Sequence, residues 1–225
     1  MSDKRELDAL IGDLAREARP VARLQPPFVR ATLWLVIAFA ALACLVGWYG
    51  LRPDLGVALS EPGGMLALVS AVATGIAATY AAFHLAVPGR SSRWSLLPLP
   101  VALVWISGLG IGCYADWVRF GPEGITLGDS YECFQAIVLS SLLLGVPLAY
   151  LLRHARFYRP AATAAMGGLA LSTLAAAALD LFHDTDARIM DVVWHIAAVA
   201  LVVSVSSAWG AFSGAPVRGS RRAIP

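Results

Sequence analysis

Apolar positions in this chain do not alternate with polar ones; they run together. Six stretches, at 31–51, 65–87, 96–114, 133–152, 161–182 and 189–212, are nearly free of charge. Each is long enough to cross a hydrocarbon core of ~30 Å at ~1.5 Å per residue. Helices are the predicted form, because a backbone in lipid must satisfy its own hydrogen bonds. The pattern therefore predicts an all-α membrane protein with six transmembrane helices.

The first thirty residues break this pattern. In SDKRELDALIGDLAREA, Leu7, Leu10, Ile11, Leu14 and Ala18 fall at helical spacing, with charges on the other face. Asp3 followed by Glu6 resembles a helix-start box. Pro20, Pro26 and Pro27 then prevent this helix from running smoothly into the first span. The chain divides into 1–30, an amphipathic helix on a proline tether; 31–212, a six-helix membrane domain; and 213–225, a basic tail. A helix so short cannot bury its own stripe within a domain. A groove on a partner protein, the ends of the bundle and a lipid surface are the three candidate covers. The spacing favours the partner. The helix carries Asp3, Glu6, Asp8, Asp13 and Glu17, and it lacks the Trp or Phe of a lipid-surface helix.

Composition agrees with lipid as the solvent. Hydrophobic residues make up 58% of the chain and charged residues 14%, against about 25% charged in soluble domains. The net charge of +2 hides an asymmetry. Segments 1–30, 88–95, 153–160 and 213–225 hold 14 of the 17 Lys and Arg residues; the alternate loops hold only Arg52, Arg119 and Arg188. The ten acids outside the N-terminal segment fall in or beside those alternate loops: Asp54, Glu61, Asp116, Glu123, Asp129, Glu132, Asp180, Asp184, Asp186 and Asp191. The positive-inside rule then predicts that both termini are cytoplasmic. The first apolar run starts after thirty residues and is too long for a signal-peptide core, so no cleavable leader is expected. Cys44, Cys113 and Cys133 do not make a disulfide framework.

Two spans carry small residues at fixed spacing: Ala67, Ala71, Gly75 and Thr79, and Ala164, Gly168, Ser172 and Ala176. Such seams let helix backbones approach closely in lipid, within one chain or between copies, so a homo-oligomer is open. No acidic or basic residue lies at mid-depth in any span, where ion-coupled transporters usually need one.

Enzyme signatures are missing. There is no G-x-x-x-x-G-K, G-x-G-x-x-G, H-E-x-x-H or G-x-S-x-G, and SGLGIG at 107–112 lies inside a span. The acidic side does hold a cluster: Glu132 and Cys133 open the fourth span, and Asp180, His183, Asp184, Asp186, Asp191 and His195 surround the last outer loop. Asp180 with Asp184, and Asp191 with His195, are i, i+4 pairs. Thiolate, imidazole and carboxylate suit a soft or borderline divalent metal. Spacing alone favours an ordinary acidic rim, since no C-x-x-C or H-x₃-H pair is present.

The ordered set of these features resembles the NrsF family, negative regulators of sigma F, six-span anti-sigma factors of bacterial inner membranes. The resemblance lies in LIGDLAREARPVARLQPPFVRATLWL, GLRPDL at 50–55, FHLAVPGR at 83–90, ECFQAIVLSSLLLGVPLAYLLRHA and LDLFHDTDARIMDVVWH. It implies that the N-terminal helix holds an extracytoplasmic-function sigma factor at the membrane and releases it on an envelope signal, such as metal or redox stress. Partner contacts are then expected on Leu7, Leu10, Ile11 and Leu14, with Pro20 and Val21 fixing the exit. No direct nucleic-acid contact and no resident cofactor are expected; a divalent metal would act as signal. The family often carries two outer cysteines. Cys133 matches the first, and His183 stands at the second, so a disulfide between them is impossible and the resemblance leaves metal binding by Cys133 with His183. A small transporter or channel for a metal or solute is the alternative reading.

Overall fold

The computed structural model describes residues 2–17, 25–61, 63–121, 131–152, 159–183 and 189–213. Helices dominate, and no strand occurs among the described residues. In chain order they are α1 (Ser2–Glu17), α2 (Pro27–Tyr49), α3 (Leu55–Ser60), α4 (Gly64–Leu85), a 3₁₀ turn (Ser92–Leu96), α5 (Leu99–Phe120), α6 (Tyr131–Leu152), α7 (Pro160–Phe182) and α8 (Ile189–Ser213). Among the described residues, the six long helices α2 and α4 to α8 are apolar enough to cross a membrane. The all-α, six-span expectation therefore holds.

Helix starts follow proline chemistry. α2 begins at Pro27, earlier than the apolar run at 31, because a proline in the first turn needs no backbone N–H partner and its φ is already helical. Pro26 before it is extended, with φ −52° and ψ 144°. α7 opens at Pro160 for the same reason. α6 runs through Pro147 without ending; a spanning helix tolerates the lost hydrogen bond when neighbouring groups re-satisfy the backbone.

α7 is the centre of the bundle. It packs against α8, α4, α6 and α2, while α4 also holds α5 and α2. Every residue from Ala170 to Leu179 is buried, so this helix is enclosed on all sides. The others bury one face: Ala31, Trp34, Leu35, Ala38 and Leu42 on α2, and Cys133, Ile137, Ser141, Leu144, Leu148 and Leu152 on α6. Their opposite faces expose Val36, Leu139, Leu142 and Val146, as lipid requires.

Both small-residue seams pack within the chain. A Cβ added at Gly75 would lie 2.5 Å from Leu174 Cγ, so α4 meets α7 there through bare backbone. One added at Gly168 would lie 2.8 Å from Ser206 Oγ and 3.0 Å from the Val202 carbonyl oxygen, so α7 meets α8 in the same way. The seams are thus occupied by internal contacts rather than offered to a second copy. Buried hydroxyls return their protons to their own helices: Thr74 donates to the Ser70 carbonyl at 2.7 Å, Thr79 to Gly75 at 2.7 Å and Ser172 to Gly168 at 2.9 Å.

The bundle has a basic and an acidic end. At the basic end Phe28 stacks on Tyr80, with centroids 5.2 Å apart, and His84 stacks on Trp94 at 3.8 Å. At the other end Tyr49 stacks on Phe182 at 5.1 Å, and the Arg52 N–H donates to the Leu181 carbonyl.

Candidate functional site

α1 carries the expected stripe and leaves it uncovered. Leu7, Leu10, Ile11 and Leu14 are 56, 56, 55 and 60% exposed, so no part of the described chain covers them. Arg16 donates to Asp13 at 2.8 Å on the polar face. Of the three covers weighed for this stripe, docking on the bundle's own end is not what the structure shows. Pro20 and Val21, expected to fix the exit, lie outside the described residues.

The root of the tether is firmly held. Arg30, one turn into α2, is 5% exposed. Its guanidinium donates to the Leu151 carbonyl in the last turn of α6 and sits 5.4 Å over the Phe83 ring of α4. A cation suits the carbonyl end of a helix and an aromatic face. Thr32 Oγ1 and the Tyr80 hydroxyl share a 3.1 Å hydrogen bond just beyond it. Three helices therefore meet where the chain leaves the bundle for α1. Sequence reasoning missed Arg30; its place at the first turn of an apolar run was the available signal.

At the acidic end, Cys133 is 1% exposed and packs in a core of Ile137, Ala175, Ala176, Leu179 and Ala198. Its neighbour Glu132 faces His183, with Oε2 and Nε2 3.7 Å apart. The start of α6 and the end of α7 are thus brought together, while Cys133 itself turns into the apolar core. Among the described residues, no three His, Cys, Asp or Glu side chains form a group that could hold a metal. Asp184 and Asp186 lie outside the described residues. The structure brings Asp180 to His195 across α7 and α8, with Oδ1 and Nε2 3.8 Å apart. Both line a cavity of about 190 Å³ beneath α3, together with Arg52 and Arg119. Trp194 packs edge-on against Tyr131 and Phe134, closing the α6–α8 side.

An uncovered amphipathic helix ahead of six apolar helices long enough to span is the architecture of a multi-pass membrane protein with an extramembrane N-terminal helix. The family described as Negative regulator of sigma F, NrsF, matches residues 14–213, and the chain belongs to it. The match takes in Leu14, Pro20, Val21, Cys133 and His183, whereas Leu7, Leu10 and Ile11 precede it. No curated protein and no solved structure matches the chain. Membership of a family of sigma-factor regulators accords with a role other than catalysis.

Proposed function

We propose that this protein is an anti-sigma factor of the bacterial inner membrane, with both termini in the cytoplasm. Through α1 it holds an extracytoplasmic-function sigma factor against the membrane, away from RNA polymerase, and it frees that factor on an envelope signal. The exposed stripe of Leu7, Leu10, Ile11 and Leu14, on a chain of this family, carries the reading. Anchors at i, i+3, i+4 and i+7 are the pattern of a helix laid in a partner's groove. The charge asymmetry supports the orientation, because the segment bearing α1 holds more basic residues than any other loop or tail.

Release requires a signal that binds or favours one state of the bundle over the other. The Arg30 contacts offer a route, since they tie the root of the arm to α4 and α6. The metal reading assigns signal sensing to Cys133 and His183. In it, the double variant Cys133→Ser, His183→Ala loses the transcriptional response to zinc or cadmium, and an unchanged response rejects the pair as sensor.

The binding claim is tested with Leu10→Asp and Leu14→Asp. Each would place a charge in the apolar groove of the partner. Loss of an anchor worth about 2 kcal/mol weakens binding more than tenfold. The variants should reach the membrane at wild-type levels and fail to retain the sigma factor. Full repression by both would remove α1 as the binding surface.

A further inference from the structure

Between Glu61 and Asp116 the chain holds two Lys or Arg residues, Arg90 and Arg93, and no acid. Both lie on the connector from α4 to α5, and both are exposed. Among the described residues neither guanidinium meets a carboxylate. Segments 153–160 and 213–225, which share this end, also hold no acid. The six-helix domain therefore offers these two arginines no counter-charge of its own.

The connector is held in place. Trp94 lies flat on His84 in the last turn of α4, with ring centroids 3.8 Å apart and planes 4° from parallel. The Arg93 N–H donates to Ser91 Oγ at 3.2 Å, and the Leu97 N–H donates to the Trp94 carbonyl at 3.1 Å. Pro98 is buried behind them. The two cations are thus carried on a packed turn. Apolar surface begins directly beside it. Leu96 and Leu97 are exposed, and so are Leu99 and Leu103, which share one face of α5 at i, i+4.

We propose that this connector is a docking surface for an anionic phospholipid, its phosphate paired with Arg90 and Arg93 and its acyl chains laid along Leu96, Leu99 and Leu103. Charge selects an anion, because both guanidiniums lack a carboxylate, and the planar fork of arginine suits phosphate oxygens. Position selects a lipid. Trp94 is the kind of side chain that settles at headgroup depth. The arginines then lie among headgroups, and α5 carries Leu99 and Leu103 into the hydrocarbon. A free phosphate would leave those leucines unused. A zwitterionic lipid brings its own ammonium beside the phosphate, so a headgroup with net negative charge is preferred. The acids of α1 are the other anions at this end, but Asp13 pairs with Arg16 of its own helix. The lipid would hold the α4–α5 hairpin at a fixed depth whether or not α1 binds a sigma factor.

The test is native mass spectrometry of purified full-length protein, offered phosphatidylglycerol and phosphatidylcholine in equal amounts. The wild type should retain phosphatidylglycerol in preference. The double variant Arg90→Gln, Arg93→Gln should lose that preference at least fivefold. Arg221→Gln, Arg222→Gln removes the same charge from the tail and should keep it, as should the chain lacking residues 1–24. Absence of any preference in the wild type would overturn the site. Equal losses in the two double variants would do so too, by showing that net charge alone attracts the lipid. Displacement of the lipid by excess sodium phosphate would assign the arginines to a free anion. A preference that appears only once residues 1–24 are removed would assign them to the acids of α1. Either result would reject the lipid.

Discussion

Arg30 is where a single side chain does most to connect parts of the molecule. It is buried at the membrane edge, where an unsatisfied guanidinium is costly, and it is held by a helix-end carbonyl and an aromatic face. Arg30→Ala removes both contacts and leaves the Leu151 carbonyl short of a donor. A hydrogen bond from a charged group contributes about 1.5–3 kcal/mol. The variant should therefore unfold at a lower temperature in detergent, with Arg30→Lys between it and the wild type. An Arg30→Ala protein as stable as the wild type would mean that the root of α2 is held by Trp34 and Phe28 instead. Asp180 and His195 teach a different lesson at this scale. The sequence offers each a partner four residues away, Asp184 and Asp191, because only along-helix neighbours can be read from spacing. The contact seen runs between α7 and α8. No pattern within one helix encodes that pairing.

At the scale of elements, the apolar runs made all six spans legible, and prolines stand at the starts of three of them. Which face of each span turns inward was harder to read, because lipid-facing and core-facing positions are both apolar. Residue size carried that information. Ala, Gly, Ser and Thr at fixed spacing marked the buried faces of α4 and α7, while large side chains such as Val36 and Val146 face outward. The seams fix a prediction. Gly168→Val would drive a branched side chain into Ser206 and the Val202 carbonyl. Overpacking of this kind costs about 1–3 kcal/mol, so thermal unfolding in detergent should fall by several degrees. Gly110→Val serves as the control, because nothing lies within 4 Å of a Cβ there. Equal losses in the two would show that helix propensity, not the α7–α8 contact, is responsible. α1 was legible for the opposite reason: its 3.6-residue period stands out in a polar segment, and a helix is found there over Ser2–Glu17.

The whole molecule is a bundle with charge sorted between its ends and aromatic side chains near both. Trp48, Tyr49 and Trp117 are exposed toward the acidic end, and Phe28, Trp209 and Phe212 toward the basic end, as expected of interfacial belts. The proposed topology predicts that alkaline phosphatase fused after Glu61 is active, while fusions after Arg90 or Ser213 are not. An inverted result would place α1 outside the cytoplasm and end the sigma-factor reading. The central claim is that the thirty polar residues form the binding arm of a membrane-held regulator. Its most direct test is co-purification from solubilised membranes, comparing the full-length chain with one lacking residues 1–24, with mass spectrometry of what accompanies each. A sigma factor is expected with the full-length chain alone. A sigma factor retained by the shortened chain, or none with either chain in stressed and unstressed cells, would contradict that claim.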